Sequence, residues 1–429
     1  MKRDEGIFKW FVCFIFLSIS SSGFTQSSLT LGEAYDLAKS NYPLLKSVDI
    51  YKAMEEQDND LVDQSRKPTI ILKGDASLQS EAISLGEENG PINVNVPIYR
   101  ANAYGEISYN LFDGGVSDVR KQINEINTII QTQQIEVDLY PLKAQVNKIF
   151  SGVDLGLNLR ELFFLTEKDL LARKEVIRSG VEFGTLLESE LTKLDVRLLQ
   201  LENERLKIDA DIRSAYSLLS VVIGNGVSTD TKLILPKNLT SVTQTNLNRP
   251  ELKLFSDKKL ALEAQKDLFE VMDKPNVALF GQAGLSYPNY LNFTDISLSP
   301  YAIGGIKASY KLFDKKDKTI KKQKIDLQAE LIDIQEETFR HNLSIQSARY
   351  QDDFQLLTGQ VDKYAQIAEL QSEILSQLKV QLDNGVITST EYLLQSNEEL
   401  RARQNVKITQ SRLDQKRLEY HTINGNSQN

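Results

Sequence analysis

The chain contains the same short joint twice, and this internal repeat constrains its fold more than any other feature. Residues 108–115 read SYNLFDGG, and residues 309–316 read SYKLFDKK. Each joint follows a short run of alternating apolar and polar residues and precedes a very long charged segment. Both halves also share a Pro-containing segment before the first strand and a later Gly-Val pair. The 429 residues are therefore predicted to contain two copies of one structural unit.

The repeat and the composition divide the chain into five segments. The first segment has a basic start, an apolar run at residues 10–19 and then small residues, which is typical of a secretory signal peptide and too short to span a bilayer. The single cysteine, Cys13, lies in it, so we expect no disulfide, thiolate metal site or lipid anchor in the rest. The predicted segments are a signal peptide at 1–25, a first repeat at 26–225, a linker at 226–247, a second repeat at 248–424 and a tail at 425–429.

The net charge and the absence of catalytic and metal-binding motifs argue against several classes of protein. The net charge is −9 and the sequence contains no stripe of basic residues, which argues against a nucleic-acid partner. The two histidines, His341 and His421, lack metal-ligand spacing. Because no nucleophile and base pattern occurs either, we predict no catalytic site, no cofactor and no metal, and the protein is not expected to be an enzyme.

Four runs of alternating residues predict four β-strands with one apolar and one polar face. They occupy residues 70–79 and 106–111 in the first half and 277–286 and 307–312 in the second. The longer runs have about the nine residues of one tilted bilayer crossing. A half-buried sheet in a soluble protein would show the same alternation, so the strands alone leave both interpretations open.

The segments that follow the strands predict unusually long helices. Residues 116–178 and 317–383 have helical composition, interrupted in the first case by Pro141, and each would extend about 90 Å at 1.5 Å per residue. The return helix after the first of them carries a heptad from residue 187 to residue 219. The second return helix, residues 390–421, has a weaker pattern and is expected to contact water on more than one side.

Counting strands predicts an oligomer. Four strands cannot close a barrel, and an open strand edge is not tolerated in lipid. Two chains would supply eight strands, the smallest usual number, whereas three would supply twelve and leave room for water. The polar strand faces favour the wetter arrangement, so the predicted fold class is mostly α with a membrane β-barrel part.

The joints, the Gly-Val turns, the duplication and the leader together resemble the TolC family of outer-membrane efflux proteins, also called outer-membrane factors. The resemblance covers essentially the whole mature chain, and residues 139–143 (LYPLK) resemble a subgroup of that family. It implies a homotrimer with a twelve-stranded barrel in the cell outer membrane and an α-barrel of long antiparallel helices in the periplasm. It also implies docking to a periplasmic adaptor (membrane fusion) protein and an inner-membrane pump. The implied function is a passive exit duct of a tripartite efflux or type I secretion system, gated at its periplasmic tip.

The resemblance assigns roles to three groups of residues. Each joint marks the point where a strand leaving the membrane becomes a helix, although Lys315-Lys316 departs from the family's usual glycine pair. The predicted joint residues are Tyr109, Phe112, Asp113, Tyr310, Phe313 and Asp314. The predicted adaptor-docking tips are Gly180, Val181, Gly385 and Val386. The predicted periplasmic entrance, or gate, is formed by Glu391, Glu188 and Glu190.

A ring of three carboxylates at a constriction would select cations and raise the pKa values of its own members. The alternative for these glutamates is an ordinary solvated helix face. Arg178 and Arg401 are expected to pair with them and to hold the entrance closed.

For the whole chain, the alternatives are a periplasmic adaptor and a structural coiled-coil protein of the cell envelope. The duplication argues against the first, and the membrane-length strands argue against the second.

Overall fold

The computed structural model describes residues 28–85, 94–236, 247–292, 295–312 and 315–425. The predicted signal peptide lies outside the described residues, as do residues 237–246 of the predicted linker. Phe313 and Asp314 of the second predicted joint also lie outside them.

The same order of elements occurs in both halves of the chain. The first half contains β1 (Ser28–Thr30), α1 (Leu31–Asn41), α2 (Ser47–Ser65), β2 (Thr69–Leu78), β3 (Ile83–Leu85), β4 (Val94–Val96), β5 (Tyr99–Phe112), α3 (Val116–Leu139), α4 (Pro141–Glu182) and α5 (Glu188–Ile223). The second half contains β6 (Lys232–Ile234), α6 (Pro250–Val271), β7 (Asn276–Tyr287), β8 (Ser299–Ser309), α7 (Lys315–Asp383) and α8 (Ser389–Ile423). In each half a helix leads into two long strands, then a very long helix, then a shorter return helix.

The two long segments differ at one proline. Helix α7 runs for 69 residues, about 100 Å, without a break. Its counterpart in the first half is divided into α3, with 24 residues, and α4, with 42 residues. The division falls at Tyr140 and Pro141, because proline has no amide hydrogen to donate to the preceding turn. No described helix combines the length and the apolar content needed to cross a membrane.

The four long strands form one antiparallel sheet in the order β2-β5-β7-β8. Strands β2 and β8 are its two edges, and each has one side without a partner in the described part of the chain. Two small sheets complete the strand inventory of the described residues: β1 pairs in parallel with β6, and β3 pairs with β4. The predicted mixture of long helices and four membrane-length strands is confirmed.

The register separates the sheet into an apolar face and a polar face. On the apolar face Ile70 lies opposite Ile107, and Leu72 lies opposite Gly105. Both β2 side chains are open to the surroundings, at 77% and 85% of their maximal exposure. The opposite face carries a cross-strand network, called here the polar ladder, which consists of Lys73, Asp75, Asn102, Glu106, Gln282 and Ser286.

The helices pack through separate apolar clusters along their length. One cluster joins α1, α4 and α5 near residues Phe150 and Leu219, both fully buried. Another lies at the far end of the helices and joins α4, α5, α7 and α8 around Leu170, Leu194 and Tyr392. The predicted heptad of α5 supplies buried positions to both clusters, since Leu194 and Leu219 belong to it. This packing places the α4–α5 turn beside the α7–α8 turn.

Candidate functional site

Both helical hairpins reverse direction through the same backbone motif. Gly184, with φ of 70°, follows the end of α4, and Gly385, with φ of 69°, follows the end of α7. The amide of the residue after each glycine donates to a carbonyl five residues earlier: Thr185 to Gly180 and Val386 to Gln381, both at 2.8 Å. This is the Schellman arrangement, in which glycine takes the left-handed position because it has no Cβ.

The turn geometry corrects the predicted equivalence of the two Gly-Val pairs. Gly180 and Val181 lie inside α4, within its last three residues, and Gly184-Thr185 is the structural counterpart of Gly385-Val386. Gly180 instead leaves room for the side chain of Leu186, because a Cβ at position 180 would lie 2.6 Å from Cδ1 of Leu186. The sequence contained a usable signal: Gly184 and Gly385 each precede a glutamate, Glu190 and Glu391, by six residues.

Glu391 closes a capping box at the start of α8. Its carboxylate accepts a hydrogen bond from the backbone amide of Thr388 at 3.2 Å. The Thr388 hydroxyl in return accepts from the amide of Glu391 at 3.4 Å. The pair satisfies two of the amides that a helix start leaves without partners. Glu391 therefore has a structural role at the tip in addition to its predicted place in the gate.

Glu190, the counterpart of Glu391, connects the two hairpins. Its carboxylate accepts hydrogen bonds from the hydroxyl of Ser389 at the start of α8 and from Lys193, the latter at 2.9 Å. The hydrogen bond from Ser389, followed by that from Lys193, lowers the pKa of Glu190 below its ordinary value of 4.5. Glu188 is exposed in the first turn of α5, and its carboxylate has no hydrogen-bond or ion-pair partner among the described residues.

The predicted pairing of Arg178 and Arg401 with the gate glutamates is wrong. Arg178 pairs with Glu175 at 3.0 Å, and Arg401 lies 3.7 Å from Glu398. Both partners sit three residues earlier on the same helix, where side chains are nearest neighbours. Each arginine can pair with a carboxylate on its own helix without contacting a second helix, so neither arginine reaches across the tip.

Residues that the sequence did not single out make further polar contacts between the hairpins. The buried phenol of Tyr392, 1% exposed, donates a hydrogen bond to the carboxylate of Asp169. Lys379 lies 3.3 Å from the same carboxylate, and Arg173 pairs with Asp383. These contacts join α4 to α7 and α8, and we call them the tip contacts. Burial, and then the hydrogen bond to Asp169, raise the pKa of Tyr392, so the phenol keeps its proton.

The first predicted joint lies where β5 gives way to α3. The Asp113 carboxylate accepts hydrogen bonds from the amides of Gly115 and Ser117, both at 3.0 Å, so it caps the helix start. Burial opposes its ionisation, but the hydrogen bonds from Ser117 and from Gly115 outweigh burial and lower its pKa. Tyr109 and Phe112 lie near the end of β5, and Tyr310 directly follows β8.

No group of histidine, cysteine, aspartate and glutamate side chains within the described ranges is arranged to hold a metal ion. The contacts that join the helices at the tips are ion pairs and hydrogen bonds.

The fold is that of the TolC-family outer-membrane channels. The chain is similar to CusC (TM-score 0.64, 12% identity), and the alignment covers 92% of this chain and 92% of that one. It is also similar to VceC from Vibrio cholerae (TM-score 0.60, 13% identity, 92% and 96% covered). For CmeC from Campylobacter jejuni the TM-score is 0.58 at 12% identity, with 92% and 85% covered. No family model and no curated protein matches the sequence. The predicted resemblance is thus confirmed at the level of the fold.

Proposed function

We propose that the protein is a homotrimeric outer-membrane channel that extends into the periplasm. It acts as the passive exit duct of a tripartite efflux or type I secretion system, alongside a periplasmic adaptor and an inner-membrane pump. The observation that carries the proposal is the sheet, which has two open edges, one apolar face that suits lipid and one polar face that suits water. The alternatives, an adaptor and a structural coiled-coil protein, give no reason for a sheet of this kind.

The open edges of β2 and β8 complement each other in direction. Because neighbouring strands in the order β2-β5-β7-β8 are antiparallel, β8 of one copy would also run antiparallel to β2 of the next. Three copies would then form twelve strands with no unpaired edge, which is the condition for a sheet to persist in lipid. The exposed apolar face would contact lipid, and the polar ladder would face water.

Exposed apolar side chains on the helices support the same assembly. Helix α2 exposes Ile50, Met54 and Leu61, and α7 exposes Leu327 and Leu331. The spacing of each set places its members along one side of the helix. Apolar stripes of this size are unusual on the surface of a monomer. Copies arranged around one axis would bury these stripes against each other.

The tip contacts support gating at the helical ends. Widening an opening there requires the α4–α5 hairpin to separate from the α7–α8 hairpin, and the tip contacts join these two hairpins. Glu188, Glu190 and Glu391 remain the proposed entrance residues, and Glu188 has the carboxylate that is most available to passing ions. Gly180, Val181, Gly385 and Val386 remain the proposed adaptor-docking residues, and Val386 is 71% exposed.

The test is to purify the full chain in detergent, measure its mass by light scattering and record conductance after insertion into planar bilayers. The proposal predicts a detergent-requiring species of about three chain masses that forms discrete aqueous pores. A water-soluble monomer that produces no conductance would overturn it and favour one of the two alternatives.

A further inference from the structure

A cavity beside the break between α3 and α4 is lined by an excess of basic side chains. It has a volume of about 540 Å³ and lies between α1, α3, α4 and the start of α6. A volume of this order is typical of small-molecule sites. The basic residues on its wall are Lys39, Lys143, Arg249 and Lys253, and the acidic ones are Asp36 and Glu136.

Lys143, like Lys253, is a basic residue of this wall without an ion-pair partner among the described residues. Its ammonium lies 5.5 Å from the ring centre of Tyr35 and 5.2 Å from that of Tyr140, and no carboxylate of the described chain forms an ion pair with it. Lys39 pairs with Glu136 at 2.7 Å, and Arg249 pairs with Glu251. Glu136 and Glu251 are therefore committed to other cations, and Asp36 is the remaining carboxylate of the wall that acts on Lys143.

The surroundings of Lys143 favour an added negative charge. Burial, and then the neighbouring charge of Lys39, lower its pKa, and Arg249 contributes in the same direction against Asp36 and Glu136. Arg249 also lies over the same ring, 4.1 Å from the centre of Tyr140. Tyr140 thus contacts two cations, and an anion in the cavity would offset the repulsion between these two like charges.

The start of α6 adds backbone dipoles to the same wall. Asn248, Arg249, Pro250 and Lys253 line the cavity, and α6 begins at Pro250 and runs for 22 residues. A helix start carries partial positive charge and suits anions. The side chains and the helix start therefore favour the same kind of ligand.

We propose that this cavity is a binding site for a small oxyanion, a phosphate or a carboxylate group, held chiefly by Lys143. Arg249 and Lys253 supply further positive charge. Lys39 and Lys143 come from the first repeat, and Arg249 and Lys253 from the second. A bound oxyanion thus bridges α1, α4 and α6 and ties the two repeats together.

The test is isothermal titration calorimetry on the full-length protein in detergent at constant ionic strength, with inorganic phosphate and sodium acetate as separate probes. Lys143→Met should weaken binding of the preferred probe by about tenfold or more, since a charged hydrogen-bonding group is lost. Lys148→Met is the matched control, because Lys148 is exposed on the same helix outside the cavity. It should bind as the parent protein does.

The two probes distinguish the source of the charge: stronger phosphate binding identifies a phosphate site, and stronger acetate binding a carboxylate site. A second variant, Lys253→Met, guards against misfolding of Lys143→Met, because Lys253 is exposed, and it should weaken binding by about threefold. The proposal would be overturned if neither phosphate nor acetate binds. It would also be overturned if Lys143→Met and Lys148→Met bind the preferred probe equally well.

Discussion

The phenol of Tyr392 in α8 donates a hydrogen bond to the carboxylate of Asp169 in α4, across 223 residues of chain. Tyr392→Phe removes the donor and leaves Asp169 with Lys379. We expect a loss of about 1.5 kcal/mol of tip stability, the usual size for a hydrogen bond to a charged group. Because the bond joins the hairpins, single-channel conductance in planar bilayers should rise.

Tyr364→Phe is the control for this substitution, since Tyr364 lies in α7 and its hydroxyl has no partner among the described residues. It should leave conductance unchanged. Equal conductance of Tyr392→Phe and the parent protein would show that this contact does not restrain the opening.

The capping box separates two roles of Glu391. Glu391→Ala removes the cap and the carboxylate together, whereas Thr388→Ala removes the cap partner and keeps the carboxylate. Each should destabilise the start of α8 by about 1 kcal/mol in thermal unfolding. If Glu391 also lines the entrance, Glu391→Ala should change the cation selectivity of the pore, and Thr388→Ala should not. Equal selectivity in both variants would remove Glu391 from the gate and leave it as a cap.

Tip stability should depend on pH through Glu190. Its pKa is lower in the folded protein than its ordinary value of 4.5, so its hydrogen bonds act fully above that pH and are lost as the pH falls through the lowered pKa. Hydrogen-exchange protection of the turns should therefore decrease below about pH 4.5.

Two variants assign this pH dependence. Ser389→Ala should weaken protection already at neutral pH and flatten its further decrease, because the main cause of the pKa shift is gone. Glu188→Gln should leave the profile as it is. A profile that depends on Glu188 instead would contradict the assignment.

Two glycines one turn apart in α4 should respond to alanine with opposite signs. A Cβ at Gly152 would meet no atom within 4 Å, whereas at Gly156 it would lie 2.7 Å from Cγ1 of the buried Ile212. Gly152→Ala should raise stability by about 0.5–1 kcal/mol through helix propensity. Gly156→Ala should lower it by about 1 kcal/mol through overpacking. The melting temperature of the helical circular-dichroism signal checks both, and a shared sign would contradict the described packing of α4 on α5.

Much of the fold could be predicted from local patterns. The period-two alternation of residues 70–79 predicted a strand with two distinct faces, and the register of β2 with β5 bears this out. The break at Pro141 followed from its missing amide hydrogen. These predictions succeeded because each depends on neighbouring residues alone.

The tip could be predicted less well, because its contacts are not local. The partner of Asp169 lies in the other half of the chain, and no periodicity relates it to Tyr392. The Gly-Val repeat directed attention to Gly180, but the left-handed position belongs to Gly184, which the six-residue spacing to Glu190 would have indicated. Arg178 was assigned by proximity to the tip, yet its neighbour Glu175 was the nearer partner.

Closure of one barrel by several copies is tested most directly by cysteine cross-linking between β2 and β8. In a Cys13→Ser background, Ser77→Cys on β2 is combined in turn with Tyr301→Cys, Ile303→Cys and Gly305→Cys, which share the polar face of the sheet. Two strands separate β2 from β8 within a chain, about 14 Å, which is beyond the reach of a disulfide. The account predicts covalent dimers and trimers from one of these pairs, and none from Ala302→Cys or Gly304→Cys on the opposite face. Absence of interchain cross-links from every pair would contradict it.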